Sequence, residues 1–543
     1  MNGRRRAKVM IVGAIAAMVF AWSCGRGDRG SQDTDAGAVE EARAQRVADS
    51  LKAEEARLNQ PFKDTVYASA SHVKVVLLTV KDSTDDGVIR DLRDTYANAA
   101  GALTFRSGPR RDARFDGLVD GRPTDIEVLW TYKTDRNDEP TDYGRWGGGT
   151  GWTGQPLYIE WPDRVLTAQK KSGAMTAGAG KREVIVASLD GRVHFINFDT
   201  GEASRTPVET GGNPVKGTPS LDPTLNGNLY VGQGVAAAKP FGAMVVDLNK
   251  HAVTDFMPED RQAYRGWGAY DSSPVRVGRF LFRPGENGIV YKYTVEPGHL
   301  KLHSKMTYTV DGKAPGIEAS MAVYRNYGYI GDNAGNVICL NLNTLRPVWH
   351  YALGDDIDAT LVVAEEDGQP YLYVCCEVDK QGEGMARMAK LRADNGQEVW
   401  LNEREAVRHD EDGKHFDGGY YSTPLLGTAD CDSLIFGQCV INADERRNGV
   451  FVAMNRKTGK DVYTKALKTY GWSSPAALTD RQGHMYVFVA DCYGWCYVLE
   501  GRTGEVLARR HVGHNFESSP VVVGNTVVIG ERGERIFRLR FKV

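Results

Sequence analysis

A strongly basic field is missing from this sequence: its 543 residues carry 67 Lys+Arg against 70 Asp+Glu, a formal net charge of -3. With no excess of cations to neutralise phosphates, a nucleic-acid partner is excluded. Long apolar runs are missing too. Val9 to Ala21 is an uncharged stretch of 13 mostly apolar residues, shorter than the ~20 that span a bilayer, and no second run of that length follows. No CxxC pair is present and no His stands at ligand spacing beside a Cys, which removes the usual zinc arrangements. The glycine-rich stretch Gly144 to Gly154 contains no Lys followed by Ser or Thr, so it is not a phosphate loop. No GxSxG stands at a strand-to-helix turn, so a hydrolase elbow is absent as well. What remains, 41% hydrophobic and 25% charged residues, is the balance of a globular chain with a substantial core. Its 61 glycines imply many tight turns.

Arg4, Arg5, Arg6 and Lys8 precede the short apolar run, and together they read as a secretory signal peptide over residues 1–24. The closing Ala21-Trp22-Ser23-Cys24-Gly25 resembles a bacterial lipoprotein cleavage site, which implies a lipid on Cys24, membrane attachment through it, and a place in the bacterial cell envelope, at the outer membrane or in the periplasm. Residues 25–61 are rich in Ala, Glu, Asp, Arg and Gly with almost no aromatics and read as a tether, partly helical. Residues 62–124 hold a strand-like HVKVVLLTV and a helix-like DDGVIRDLRDTYANAA. Nothing in them repeats, and they suggest no role.

From residue 125 to 543 the chain repeats about every 40 to 60 residues. Each unit starts with a small polar residue, usually a hydroxyl and usually followed by Pro: Gln155, Thr218, Ser273, Ser320, Thr360, Thr423, Ser474 and Ser519. Strands follow, separated by turns such as Asp190-Gly191, Asn287-Gly288 and Tyr493-Gly494. The third strand ends in a turn such as DTG at Asp199, DNG at Asp394, KTG at Lys457 or RTG at Arg502, and a fourth carries an aromatic such as Trp349, Trp400 or Tyr463. Four strands per unit and eight starts predict an all-β, eight-bladed β-propeller of antiparallel four-stranded blades. The eighth unit stops after FRLRFKV, so the segment 126–134, with Trp130 in fourth-strand position, is expected to close the ring from the N-terminal side.

The segments CLNLNTLRPVW, KLRADNGQEVW, AMNRKTGKDVY and VLEGRTGEVLA resemble the repeats of quinoprotein-like (PQQ-like) β-propellers, whose blades lock together by docking a fourth-strand Trp. The resemblance spans residues 125–543. It implies either a PQQ-dependent dehydrogenase or a cofactor-free scaffold of the BamB type, the outer-membrane assembly lipoproteins. A dehydrogenase of that family needs a catalytic Asp, a calcium site and aromatic stacking over the quinone, and its motifs are not matched residue by residue here. Neither PQQ nor calcium is therefore expected, and the chain reads as a non-enzyme. The adjacent Cys375 and Cys376 resemble the vicinal disulfide of those enzymes, but inside a strand they face opposite sides and read as two buried thiols.

The loops entering the innermost strands gather at the mouth of a propeller. The position there holds Thr153, Lys216, Asp271, Glu318, Asp358, Tyr421, Trp472 and Glu517. Its acids and aromatics form a candidate ligand mouth for a sugar, a cation or a basic peptide segment. Trp146, Trp152 and Trp267 are further ligand platforms, and His511 and His514 lie within reach. With Cys24 lipidated, seven Cys remain, and Cys431 with Cys439 is the candidate disulfide. The expected function is a lipid-anchored, non-catalytic binding scaffold for an envelope protein or peptide, including outer-membrane protein assembly. The alternative is a quinoprotein-type oxidoreductase or carbohydrate-binding protein using the same mouth.

Overall fold

The computed structural model describes residues 33–80, 85–380, 382–411, 414–442 and 448–543. The expected signal peptide and Cys24 lie outside the described residues. Two compact units divide at Pro61. The first contains the helix Asp33–Leu58, as the Ala- and Glu-rich composition of the tether suggests. Among the described residues no helix is long and apolar enough to cross a membrane.

The second unit, Phe62–Val543, is mostly β, and its sheets are arranged like the blades of a propeller. Four stand alone, each a four-strand antiparallel meander: Leu157–Glu160 to Val208–Glu209, Ser220–Leu221 to Ala252–Pro258, Val275–Val277 to His299–Val310, and Ala322–Tyr324 to Arg346–Ala352. The eight separate blades expected from the sequence are not found; four are separate. Apart from the hairpin His409–Glu411 with Lys414–Phe416, the remaining strands join into one ten-stranded and one nine-stranded sheet. In the first, a parallel pair, Val407 with Asn442, and the short strands Glu377–Val378 and Gly418–Gly419 carry hydrogen bonds across the gap between two meanders. In the second, strand Asp116–Val119 pairs in parallel with both Ala476–Asp480 and Val521–Gly524. Ring closure is as the sequence suggests: Asp125–Lys133 runs antiparallel along Arg535–Lys542.

Two local rules in the sequence acquire causes. First, the aromatic of the fourth strand packs on the turn glycine of the next unit in four places. A Cβ on Gly201 would stand 2.7 Å from Trp130, one on Gly396 2.6 Å from Trp349, one on Gly459 2.6 Å from Trp400, and one on Gly504 2.4 Å from Tyr463. All four glycines have φ near +70°, where a side chain is also strained. The indole N–H groups then donate to the same turns, Trp130 to Phe198 O at 2.8 Å and Trp400 to Arg456 O at 3.0 Å.

Second, the polar residues that open the units form a ring around the axis. Backbone N–H groups of Gln155, Ser273, Ser320, Thr360, Thr423 and Ser474 donate to the hydroxyls of Thr218, Ser320, Thr360, Thr423, Ser474 and Ser519 at 2.9–3.3 Å. A hydroxyl is small enough to fit between neighbouring inner strands, and it satisfies a buried donor that has no ladder partner.

Residues 62–124, which repeat nothing, wrap the propeller and then enter its axis. Val73–Thr79 adds a fifth strand outside His299–Val310. The expected helix over 85–100 is limited to the 3-10 turn Thr95–Asn98. Asp85, Asp86, Asp91 and Asp94 instead accept from the backbone N–H two residues on, a local bond that competes with helix. Beyond it, Gly101–Ala102 pairs with the inner strand Leu157–Glu160. Leu103 O, Pro109 O and Arg110 O accept from Leu221, Val323 and Val363 N–H, so the chain satisfies inner edges that would otherwise be open.

The turn 104–111 is pinned at the hydroxyl ring. Phe105 N–H donates to Ser273 Oγ and Arg106 N–H to Gln155 Oε1. The Arg106 guanidinium donates to Pro475 O and Pro424 O at 2.8 Å, and that of Arg111 to Met321 O, Phe105 O and Ser273 O at 2.9 Å. Both side chains are fully buried. Replacing Arg111 by Met leaves these carbonyls without a donor and should cost about 3–5 kcal/mol, read as a lower urea midpoint. An unchanged midpoint would show that the axial segment does not hold the ring.

Candidate functional site

Near the pinned turn, the loops that lead into the inner strands and the ends of second strands bring several acids together in one wall. Lys216 Nζ lies 2.6 Å from Asp271 Oδ2 and 3.3 Å from Glu318 Oε1. Glu286 joins them, and the carboxylate oxygens of Asp271, Glu286 and Glu318 fall within 4.8 Å of one another. Glu286 also accepts from the Trp267 indole and the Arg265 guanidinium, and Trp267 meets Tyr143 edge-on at 4.7 Å.

Beyond Glu318 the wall continues with a second group, Asp356, Asp358, Glu377 and Asp417. Tyr421 donates to Asp417 Oδ2 at 2.6 Å and stacks on Trp472 at 4.7 Å. Glu517 stands apart from both groups: Arg532 pairs with it at 3.0 Å and Asn515 donates to it at 2.9 Å. The sequence-predicted residues therefore divide. Asp271, Glu318 and Asp358 share one electrostatic environment, Tyr421 and Trp472 form a stack beside it, and Glu517 has its own counter-ion.

Glu286 and Glu377 escaped the sequence reading, although a signal exists. Seven second strands carry an acid or amide shortly after their end, namely Asp190, Gln233, Glu286, Asp332, Glu377, Asp491 and Glu531, and in Leu434–Asn442 the amide Gln438 lies within the strand; all are buried. Most are spent on turns. Asp332 accepts from Asn336 and Asp491 from Tyr493 and Trp495 N–H.

Burial raises the acids of both groups. Asp271 is pushed up to about 7, with Glu318 adding to the effect and Lys216 opposing it. Asp417 is pushed up to about 6. Glu286, Asp356, Asp358 and Glu377 stand well above the ordinary carboxylate range, first by burial and then by neighbouring carboxylates. Burial works against the Lys216 ammonium, but Asp271 and Glu318 outweigh it and hold it protonated. The wall thus carries fewer charges than carboxyls.

To one side lies a cavity of about 430 Å³ lined by Phe416, Tyr470, Cys492, Tyr493, His511 and His514 among others. His511 Nε2 is 2.9 Å from Tyr493 O, and His514 is tied through its N–H to Glu531. Trp146 carries the Arg532 guanidinium at 4.8 Å, and Trp152 is buried.

The disulfide expected between Cys431 and Cys439 is not formed, and all seven described cysteines are free and buried. Cys431 packs in one core cluster and Cys439 in the next, on different sides of strand Leu434–Asn442. Cys375 and Cys376 likewise enter different clusters.

The residues present do not fit the quinone. Its three carboxylates need basic partners, whereas Lys216 and Arg265 are already engaged by the wall's own acids. The stacked Tyr421 and Trp472 leave no slot between them for a flat ring. The donor set of Asp271, Glu286 and Glu318 suits a hard cation, with Lys216 already at that place.

No family model matches the chain, and no curated protein does. Among solved structures it is similar to the quinohemoprotein alcohol dehydrogenase from Comamonas testosteroni, at 14% identity and a TM-score of 0.55 over 83% of this chain and 82% of that one. It is also similar to BamB from Moraxella catarrhalis, at 16% identity and a TM-score of 0.47 over 66% of this chain and 94% of that one. At these identities the likeness is one of fold.

An acid whose folded pKa is raised binds its proton more tightly folded than unfolded, so its stabilising effect is present below the ordinary value and is lost as pH rises through the raised one. For Asp417 and Asp271 that window runs from their ordinary 3.8 to about 6 and about 7. Tm should therefore fall between pH 5 and pH 8, and Asp358→Asn with Glu377→Gln, fixed in the neutral form, should flatten the fall. Parallel profiles for variant and parent would contradict this electrostatic picture.

Proposed function

We propose that the protein is a non-catalytic binding scaffold: a lipid-anchored, eight-bladed propeller of the bacterial envelope that holds a segment of another envelope protein in its mouth. On this reading each of the two large sheets is a pair of blades fused by bridging strands, and the lipid sits on Cys24. Outer-membrane protein assembly is the process such a scaffold would serve.

One observation carries the reading. The chain's own turn 104–111 is pinned at the hydroxyl ring, with Arg106 and Arg111 fully buried, and on this reading it closes the funnel from below, under a wall of mostly buried acids and aromatics. A blind acidic funnel is suited to gripping a protruding basic group. Among the described residues, Lys216 and Arg265 beside the wall are already engaged by its acids.

The test is a photo-crosslinking residue at Tyr493, which is 42% exposed at the rim, in cells that make the full chain. Adducts with one envelope protein, lost when Asp358 and Glu377 are replaced by amides, are expected, together with release from membranes on Cys24→Ala. Adducts indifferent to the amide variant would overturn the mouth as the binding face. A rise in Tm with PQQ and calcium, or with an oligosaccharide, would replace the scaffold by the oxidoreductase or the sugar-binding reading.

A further inference from the structure

Three places around the mouth set carboxylates beside aromatic rings, and two of them already contain a cation from this chain. At Glu517 the guanidinium of Arg532 lies 3.0 Å from the carboxylate and over the Trp146 ring at 4.8 Å. At Asp271 and Glu318 the ammonium of Lys216 does the same work, with Trp267 bound to the neighbouring Glu286. The third place is made by Asp356, Asp358, Glu377 and Asp417 beside the Tyr421–Trp472 stack. Among the described residues no base is in ion-pair contact with any of these four acids: Lys380 pairs with Asp355 at 3.8 Å and Arg408 with Asp379 at 3.8 Å.

A second observation is independent of the clustering. Glu377 is 2% exposed, and its Oε1 has no hydrogen-bond partner. Asp356, Asp358 and Asp417 each leave Oδ1 without one, as does the Trp472 indole nitrogen. Buried acceptors in native proteins are paired as a rule, and an orphaned set marks a place that something else completes.

From this we infer that the third place is an arginine-binding subsite: the guanidinium of an arginine on the partner's segment completes it. This deepens the scaffold reading and rests on it. The acids here are not drawn together as tightly as Asp271, Glu286 and Glu318, whose oxygens all lie within 4.8 Å, so a single small metal ion fits them less well than a wide cation. A guanidinium spreads five donors in a plane, loses little hydration and lies well against aromatic rings. The chain uses that arrangement itself with Arg532, Glu517 and Trp146.

Calorimetric titration of the full chain in mild detergent tests the inference, with four probes: a blocked Gly/Ser peptide carrying arginines, the same peptide with citrulline, the same with lysine, and calcium chloride. The arginine peptide should bind, the citrulline peptide should bind about tenfold or more weakly for want of the charge, and lysine should lie between. Asp358→Asn with Glu377→Gln should weaken the arginine peptide by about tenfold, with an unchanged near-ultraviolet spectrum as the check on folding. Equal binding of arginine and citrulline peptides, binding of calcium alone, or no binding of the arginine peptide would each overturn the inference. If the arginine peptide fails while crosslinks from Tyr493 still depend on Asp358 and Glu377, the arginine subsite falls and the scaffold stands. If those crosslinks are also indifferent, both fall.

Discussion

Small hydroxyls at the inner edge of the sheets are the constraint on which the rest depends. A propeller crowds its inner strands, and their first backbone N–H groups point at a neighbouring sheet instead of a ladder partner. Thr218, Ser320, Thr360, Thr423, Ser474 and Ser519 answer this by accepting from the preceding unit. Two places in the ring are met differently. Gln155 brings an amide instead of a hydroxyl, and the Ser273 hydroxyl receives no bond from a preceding unit start. At both, the axial turn supplies the bond, Arg106 N–H to Gln155 and Phe105 N–H to Ser273. The segment therefore belongs to the ring, whose hydrogen bonding it completes.

On the scaffold reading, the electrostatics of the mouth follow from closure of the axis by this segment. A funnel open at both ends would hydrate its carboxylates from two sides. A blind one buries them, which raises Asp271, Asp358 and Glu377 and makes each retained charge depend on a nearby cation. The chain provides Lys216 for one group and Arg532 for Glu517. The remaining group keeps acceptors that nothing in the described structure satisfies, and the proposed arginine subsite rests on that deficit.

Much of this was legible in the sequence where the physics is periodic. The hydroxyl starts, the glycine turns under Trp130, Trp349 and Trp400, and closure by 126–134 all repeat with the unit, so spacing exposes them. Asp271, Glu318 and Asp358 were found by the same alignment. What was not legible is what happens once. Residues 101–119 have no period, and two arginines paired with main-chain carbonyls leave no trace in composition. The helix expected over 85–100 yielded to aspartates that bond their own turns, a competition that helix propensity does not weigh. Glu377 was hidden because its column is counted from the ends of the second strands, whose lengths vary from unit to unit. The merging of the nine-stranded sheet was hidden for a related reason: a single strand, Asp116–Val119, links inner strands of two units from far away in sequence.

Hydrogen exchange of the full-length protein tests most directly whether the chain's own turn closes the axis from below. The amides of residues 103–111 should exchange as slowly as those of buried strands such as Asn228–Gly232, because they leave the axis only when the ring opens. Exchange of 103–111 at the rate of an exposed loop, with the strands still protected, would contradict the account and return the mouth to an open channel.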